Sequence, residues 1–94
     1  MRLIFSPAAI ADLERLRAFL QTQNPDAAQR AIRSIDEAVQ SLTTFPALGR
    51  PSGIARVREL IVPFGQSADV LRYAHLREED AIFVLRIWHG RESR

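Results

Sequence analysis

The chain has 94 residues, of which 47% are hydrophobic and 26% charged, and this size and composition predict one small globular domain spanning residues 1–94. The thirteen basic residues are all arginine and give a net charge of +2 over the eleven acidic ones, too small an excess to indicate nucleic-acid binding. Because the sequence has no cysteine, no apolar run of ~20 residues and no signal-peptide pattern, we expect a cytoplasmic protein without disulfides, cysteine metal sites or a membrane span.

Two cap-and-proline signals divide the first half of the chain into a short strand and two helices. The strand is predicted over residues 1–5, and Ser6-Pro7 then provides an N-cap and a first-turn proline. Asn24-Pro25 repeats the signal for a second helix. Apolar residues recur at helical spacing in both segments, which predicts two antiparallel helices with one apolar stripe each. The predicted stripes are Ile10, Leu13, Leu16 and Leu20 in the first helix, and Ala28, Ile32, Ile35, Val39 and Leu42 in the second.

The second half of the chain predicts a loop followed by three strands. The segment FPALGRPSG, from Phe45 to Gly53, concentrates glycine and proline and predicts the loop. Three β-favourable runs follow, RVRELIV, ADVLRYAH and AIFVLRIW, separated by turn-forming residues. They predict an antiparallel meander. The expected fold class is therefore α+β, in the order β-α-α-β-β-β, with a helical hairpin packed on one face of an antiparallel sheet and the other face largely open.

The last two predicted strands carry most of the candidate functional side chains. If the turn between them pairs positions whose numbers sum to about 157, Arg72 lies near Leu85 and Val70 lies near Ile87. This register predicts one face with Val70, Arg72, Ile87, His89 and Arg91, and an opposite face with Leu71, Tyr73, Val84, Arg86 and Trp88.

Arg86 and His89 each have a structural and a functional interpretation. Arg86 interrupts an apolar run, so we expect a salt bridge to a helix carboxylate such as Glu37 or Asp36 in preference to a catalytic role. His89 ends that run, where a partly exposed imidazole could move a proton beside phosphate-binding arginines. A lone histidine at such a position is nevertheless more often solvated or hydrogen-bonded. His75 and His89 do not have metal-ligand spacing, and no metal or cofactor is expected.

Five segments together resemble the ParE branch of the RelE/ParE toxin superfamily. They are RLIFSPAAIADLERLRAFL, FPALGRP, VRELIVPFG, VLRYAH and FVLRIWHGRE, and they extend over nearly the whole chain. The resemblance implies the same strand-helix-helix-strand-strand-strand order and the toxin half of a bacterial type II toxin–antitoxin pair. ParE-type toxins inhibit DNA gyrase, whereas RelE-type toxins cleave messenger RNA on the ribosome. In both branches, a tail of the antitoxin wraps the toxin.

This chain departs from the RelE pattern at one position, and the departure bears on which of the two branches it resembles. RelE-type ribonucleases have an arginine three residues before the tyrosine that Tyr73 matches, and this chain has Val70 there. His89 and Arg91 do match terminal catalytic positions. The missing arginine favours a non-catalytic ParE-like inhibitor of gyrase. The alternatives are a ribosome-dependent endoribonuclease, with His89 as general acid or base and Arg72 and Arg91 at the phosphate, and a toxin-like fold that only binds its antitoxin.

The resemblance also implies partners and contact residues. We expect a hetero-oligomer with a ParD-like antitoxin of the ribbon-helix-helix type, and DNA gyrase as the target. Arg58 alternates with Leu60 and Val62, and is expected either to form a salt bridge near the helices or to anchor an acidic antitoxin tail. Candidate residues for antitoxin or target binding are Arg58, Arg72, Tyr73, Arg86, Trp88 and Arg91.

A substitution at His89 is expected to separate the two functions. A ribonuclease is expected to lose toxicity on His89→Ala with its fold intact, and a gyrase inhibitor is expected to be affected little.

Overall fold

The computed structural model describes residues 1–90, which form two helices and five strands. Both helices pack on the same face of one sheet, whose strand order is β1-β5-β4-β3-β2. The predicted α+β class and order of elements are confirmed, with a two-residue strand added inside the predicted loop. In chain order, the elements are β1 (Arg2–Phe5), α1 (Pro7–Gln21), α2 (Pro25–Thr44), β2 (Arg50–Pro51), β3 (Val57–Phe64), β4 (Ser67–Leu76) and β5 (Ala81–His89).

The sheet is mixed, which corrects the prediction of a wholly antiparallel one. β1 pairs in parallel with β5. The other three pairs, β2–β3, β3–β4 and β4–β5, are antiparallel. β1, β3 and β5 therefore run in the same direction, so the helical hairpin and the loop that contains β2 together form a crossover connection. The meander was predicted correctly for β3 to β5, but nothing in the pattern of residues 1–5 indicated which strand would receive them.

The predicted helix starts have the local hydrogen bonds that their sequences favour. Ser6 Oγ accepts a hydrogen bond from the Ala9 N–H at 2.9 Å and donates one to Leu85 O at 2.8 Å. It thereby caps α1 and also ties the start of that helix to β5. Asn24 Oδ1 caps α2 through two N–H groups of its first turn, and a proline follows each cap.

The hydrophobic core lies between the helix pair and strands β4 and β5. The helical stripes are confirmed except at two positions: Ile10 is 49% exposed and Ile32 is only half-buried, whereas their neighbours Ala9 and Ala31 are fully buried. No helix in residues 1–90 is long and apolar enough to cross a membrane. The buried apolar cluster consists of Ala9, Leu16, Leu20, Ala28, Ala31, Ile35, Val39, Leu42, Leu71, Tyr73, Ile82, Val84 and Ile87.

A β-bulge in β5 changes the predicted faces of the last two strands. Tyr73 pairs with Val84, as expected for a sum of 157, but Arg72 pairs with Arg86, and Leu85 is the extra residue between them. Every pair beyond the bulge is shifted by one position. Because side chains alternate between faces, this shift brings the odd-numbered end of β5 onto the face that the helices cover. The prediction that Arg72 and His89 share a face is therefore wrong, as is the grouping of Trp88 with Leu71 and Tyr73.

Candidate functional site

His89 and Asp69 form a buried pair at the end of β4 and β5. The residues lie directly opposite each other in the sheet, and His89 Nδ1 is 2.7 Å from Asp69 Oδ1. The rings of Phe19 and Phe64 flank the imidazole at centroid distances of 6.0 and 6.1 Å. His89 is 2% exposed and Asp69 is fully buried. The expected partly exposed imidazole is thus wrong, because the bulge turns His89 inward toward α1.

Arg72 lies on the other, open face of the sheet. Its Nε and Nη2 atoms donate to Glu59 Oε2 at 3.0 and 2.7 Å, across the β3–β4 pairing. The guanidinium carbon also lies 5.1 Å from the centroid of the Trp88 ring, which is a cation–π distance. Glu59 therefore neutralises much of the arginine charge, and Trp88 orients the guanidinium plane.

Arg86 forms a salt bridge with Asp12 of α1. The predicted salt bridge to a helix carboxylate is therefore confirmed, but the predicted partners, Glu37 or Asp36 of α2, are wrong. Arg86 Nε and Nη2 donate to the two carboxylate oxygens at 2.8 and 3.1 Å. The Asp12 carboxylate is 2% exposed, while the Arg86 side chain is half-exposed. Arg86 thus keeps part of its guanidinium at the surface while its charge is paired.

Asp12 also completes the hydrogen bonding of β5. β1 ends opposite Val84, so β5 has no strand neighbour on that side beyond the bulge within the described chain. Asp12 Oδ2 accepts a hydrogen bond from the Ile87 N–H at 2.8 Å and Oδ1 accepts one from Arg15 at 2.8 Å. Burial of the Asp12 carboxyl raises its pKa, but the hydrogen bonds it accepts outweigh burial and lower the pKa from 3.8 to about 2.

Tyr73 and Arg58 hold the loop between α2 and β2 from beneath. The Tyr73 hydroxyl donates to Pro46 O at 2.7 Å and accepts from the Gly49 N–H at 2.9 Å. Arg58 Nη1 donates to Gly49 O at 2.7 Å. Tyr73 is fully buried, so its effect on any binding surface is exerted through the loop. Among residues 1–90, Arg58 has a backbone carbonyl as its hydrogen-bond partner and no carboxylate.

The arrangement brings together some of the predicted site residues and separates others. Arg72 and Trp88 are adjacent on the face opposite the helices, where Trp88 is itself buried at 7% exposure. His89 faces the helices, and Arg86 lies against α1 at the edge of β5. Arg91 is outside the described residues. Within residues 1–90, there is no group of three or more histidine, cysteine or acidic side chains placed to hold a metal ion.

Replacing Tyr73 with phenylalanine is expected to lower the free energy of unfolding by about 1–3 kcal/mol, because the buried Gly49 N–H and the half-buried Pro46 carbonyl lose their partner. Urea unfolding followed by the fluorescence of Trp88 measures the change. Thr43→Val, which removes an exposed hydroxyl bonded only to Gln40 O, serves as the control and is expected to change stability by less than about 0.5 kcal/mol. Equal effects of the two substitutions would show that Tyr73 does not hold the loop.

The chain is similar to proteins of one toxin family along nearly its whole length. A family model described as the ParE toxin of the type II toxin–antitoxin system parDE matches residues 3–94. Toxin RelE1 of Caulobacter vibrioides is 42% identical over 91 residues, with 97% of this chain and 95% of that protein covered. Toxin RelE3 of the same organism is 39% identical over 88 residues, with 94% and 92% covered.

Two solved structures have the same fold. A chain of the chromosomal ParDE system of P. aeruginosa superposes with a TM-score of 0.76 at 26% identity, and the match covers 95% of each chain. A chain of the intact RelBE toxin–antitoxin complex of E. coli gives a TM-score of 0.64 at 16% identity, over 99% of this chain and 98% of that one. The second likeness concerns the fold alone.

Proposed function

The chain belongs to the ParE toxin family of type II toxin–antitoxin systems, and on that premise we propose that it inhibits DNA gyrase by binding, without catalysing a reaction of its own. The proposal includes neutralisation by a cognate ParD-like antitoxin. The single observation that supports it best is the position of His89, whose imidazole is buried on the helix-covered face and hydrogen-bonded to Asp69.

A general acid or base must come within hydrogen-bond distance of the proton that it transfers. His89 and Arg72 lie on opposite faces of the sheet. His89 is paired with Asp69 of β4, and Arg72 lies three residues further along that strand, where side chains point to the other face. Arg72 is in addition committed to Glu59. A nuclease built on these two residues would therefore need the imidazole to leave its pocket and the arginine to leave its carboxylate, and this requirement supports binding over catalysis.

The surface also supports a protein partner. The helices cover one face of the sheet, and several large apolar side chains remain exposed on the rest of the molecule, among them Ile61 of β3. Three more lie together in sequence around β2, namely Phe45, Leu48 and Ile54, at 62%, 52% and 53% exposure. A contiguous patch of exposed apolar side chains marks a surface that a partner covers, and these residues are the candidates for such a patch. The P. aeruginosa and E. coli neighbours come from toxin–antitoxin systems, which supports an antitoxin as that partner.

A RelE-like endoribonuclease is the second candidate function. The observation that favours it is the similarity to two curated proteins named as RelE toxins, at 42% and 39% identity. His89 and Arg91 are then the catalytic groups to test, with Arg72 at the phosphate.

Induced expression in a bacterial host tests the two functions against each other. A gyrase inhibitor is expected to arrest replication and trigger the DNA-damage response while ribosome-bound messenger RNA stays uncut in primer-extension assays. Co-expression of the protein from the neighbouring reading frame is expected to restore growth. Codon-positioned cuts without DNA damage would instead support the ribonuclease, and normal growth would support a module that only binds its antitoxin.

A further inference from the structure

A row of charged residues crosses the face of the sheet opposite the helices. Arg50 of β2 lies directly opposite Glu59 of β3, and Glu59 lies directly opposite Arg72 of β4. Side chains of residues paired in this way point to the same face. Because neighbouring strands are about 4.8 Å apart, the backbone positions of the two arginines are separated by about 10 Å, with the glutamate between them. The sign of the charge therefore alternates along the row.

Apolar side chains flank this row on both sides. Residues two positions away along the same strand point to the same face. The flanking residues are Ile61, Val70 and Trp88 on one side, and Val57, Ala74 and Phe83 on the other. Ile61 is 40% exposed and three of the others are half-buried, whereas Ala74 and Trp88 are buried. A group of charges that includes arginine, set within a largely apolar surface, is typical of surfaces that bind other proteins.

The same face has more positive than negative charge. The five strands contain two acidic residues, Glu59 and Asp69, and Asp69 is paired with His89 on the helix-covered face. Arg2, which lies opposite Ala81 at the edge of the sheet, points to the same face as the row. Three arginines of the strands are thus set against one glutamate on this face within residues 1–90. An acidic surface of a partner complements it.

The two cations of the row are held in position before a partner binds. Arg72 is oriented by its hydrogen bonds to Glu59 Oε2 and by its contact with Trp88. Arg50 follows Gly49, whose N–H and carbonyl are both hydrogen-bonded to side chains of the sheet. A Cβ atom at Gly49 would lie 2.8 Å from Glu59 O, so this part of the loop packs directly against β3. Groups that are ordered in the free protein lose less entropy on binding.

Both guanidinium groups keep hydrogen-bond donors for a partner. Arg72 uses its Nε and Nη2 atoms on one oxygen of Glu59, and its side chain is 30% exposed. A guanidinium has further N–H donors beyond these. Arg50 is exposed and has no carboxylate partner among residues 1–90. A carboxylate of a partner would therefore meet an unneutralised charge at Arg50.

We infer that the face of the sheet opposite the helices binds the target protein, with carboxylates of the target at Arg50 and Arg72 and apolar side chains against Ile61. The inference rests on the proposed function for the existence of a protein target, and it adds the surface and the chemistry of the contact. The glutamate in the middle of the row repels phosphates, which favours a protein over a nucleic acid as the occupant of this face.

The test measures the dissociation constant of the full-length toxin for purified gyrase without DNA. Arg50→Glu reverses the exposed charge of the row and is expected to increase this constant at least about tenfold, while the midpoint of thermal unfolding stays near that of the wild type. Arg33→Glu makes the same change of charge at an exposed position of α2, away from this face, and is expected to change the constant less than about twofold.

A second pair of variants tests the apolar part of the face. Ile61→Glu is expected to weaken gyrase binding at least about tenfold, because it replaces an apolar contact with a charge of the same sign as the target surface. Ile10→Glu, at an isoleucine of α1 that is 49% exposed, is the matched control and is expected to have little effect. Thermal unfolding of each variant shows whether the fold is kept.

Each outcome has a distinct meaning. Weaker gyrase binding by Arg50→Glu and Ile61→Glu, beyond that of their controls, supports the inference. Unchanged affinity of both variants, with the wild-type toxin still bound, overturns it and leaves the proposed function standing. Failure of the wild-type toxin to bind gyrase overturns both. If Arg50→Glu lowers the affinity for a single-stranded RNA oligonucleotide but not for gyrase, the face binds a nucleic acid, and the assignment of a protein partner is wrong.

Discussion

Replacing His89 with alanine is expected to lower the free energy of unfolding by about 3 kcal/mol, because the substitution removes a hydrogen bond from a buried carboxylate and leaves a cavity. The imidazole is 2% exposed and lies between Phe19 and Phe64. This expectation replaces the one drawn from sequence, in which His89→Ala left the fold intact. Loss of toxicity in this variant consequently does not by itself demonstrate catalysis.

His75→Ala is the matched control for His89→Ala. His75 is the other histidine and is only half-buried, so His75→Ala is expected to cost less than about 1 kcal/mol. A double-mutant cycle on His89 and Asp69, followed by urea unfolding, is expected to give a coupling energy of about 1–3 kcal/mol. A cost no larger than that of His75→Ala, or a coupling near zero, would contradict the buried pair.

Asp12→Asn is expected to reduce stability by about 2 kcal/mol at neutral pH, and this difference from the wild type is expected to vanish in acid. The pKa of Asp12 is lowered from 3.8 to about 2 in the folded chain. A lowered folded-state pKa contributes stability that is fully present above pH 3.8 and is lost as the pH falls through about 2. The physical source is the charged carboxylate, which accepts hydrogen bonds from Arg86, Arg15 and the Ile87 N–H.

Urea unfolding at a series of pH values between 2 and 7 checks the Asp12 prediction. Asp36→Asn, at an exposed carboxylate of α2, is the matched control and is expected to change stability by less than about 0.5 kcal/mol throughout. A difference between Asp12→Asn and the wild type that stayed constant down to pH 2 would mean that the carboxylate charge does not stabilise the end of β5.

The helices and the order of elements could be predicted from local signals. Ser6-Pro7 and Asn24-Pro25 mark helix starts whatever the rest of the chain does, because capping involves only the first turn. Ile10 was misassigned since Ala9 and Ile10 both fit a helical stripe, and only the close approach of the helix to the sheet selects the smaller side chain. The resemblance to the ParE branch carried the family assignment, which the matches to related proteins confirm.

The candidate site could be predicted only in part, because it depends on one extra residue. Leu85 forms a bulge that periodicity does not reveal, and the one-position shift reverses the faces of every later side chain. Asp69 was missed as the partner of His89 for the same reason. Asp12 was missed as the partner of Arg86 because the sequence does not show that α1, and not α2, lies beside β5. An acidic residue within an apolar strand, such as Asp69 beside Val70 and Leu71, is the one signal that could have indicated a buried hydrogen-bonded pair.

Supercoiling of relaxed plasmid by purified DNA gyrase tests the central claim most directly. Toxin freed from its antitoxin is expected to reduce supercoiling in a concentration-dependent manner, and added antitoxin to restore it, while the same toxin leaves messenger RNA on isolated ribosomes uncut. If gyrase activity is unchanged and the ribosome-bound messenger RNA is cleaved, the proposal of a non-catalytic gyrase inhibitor is wrong.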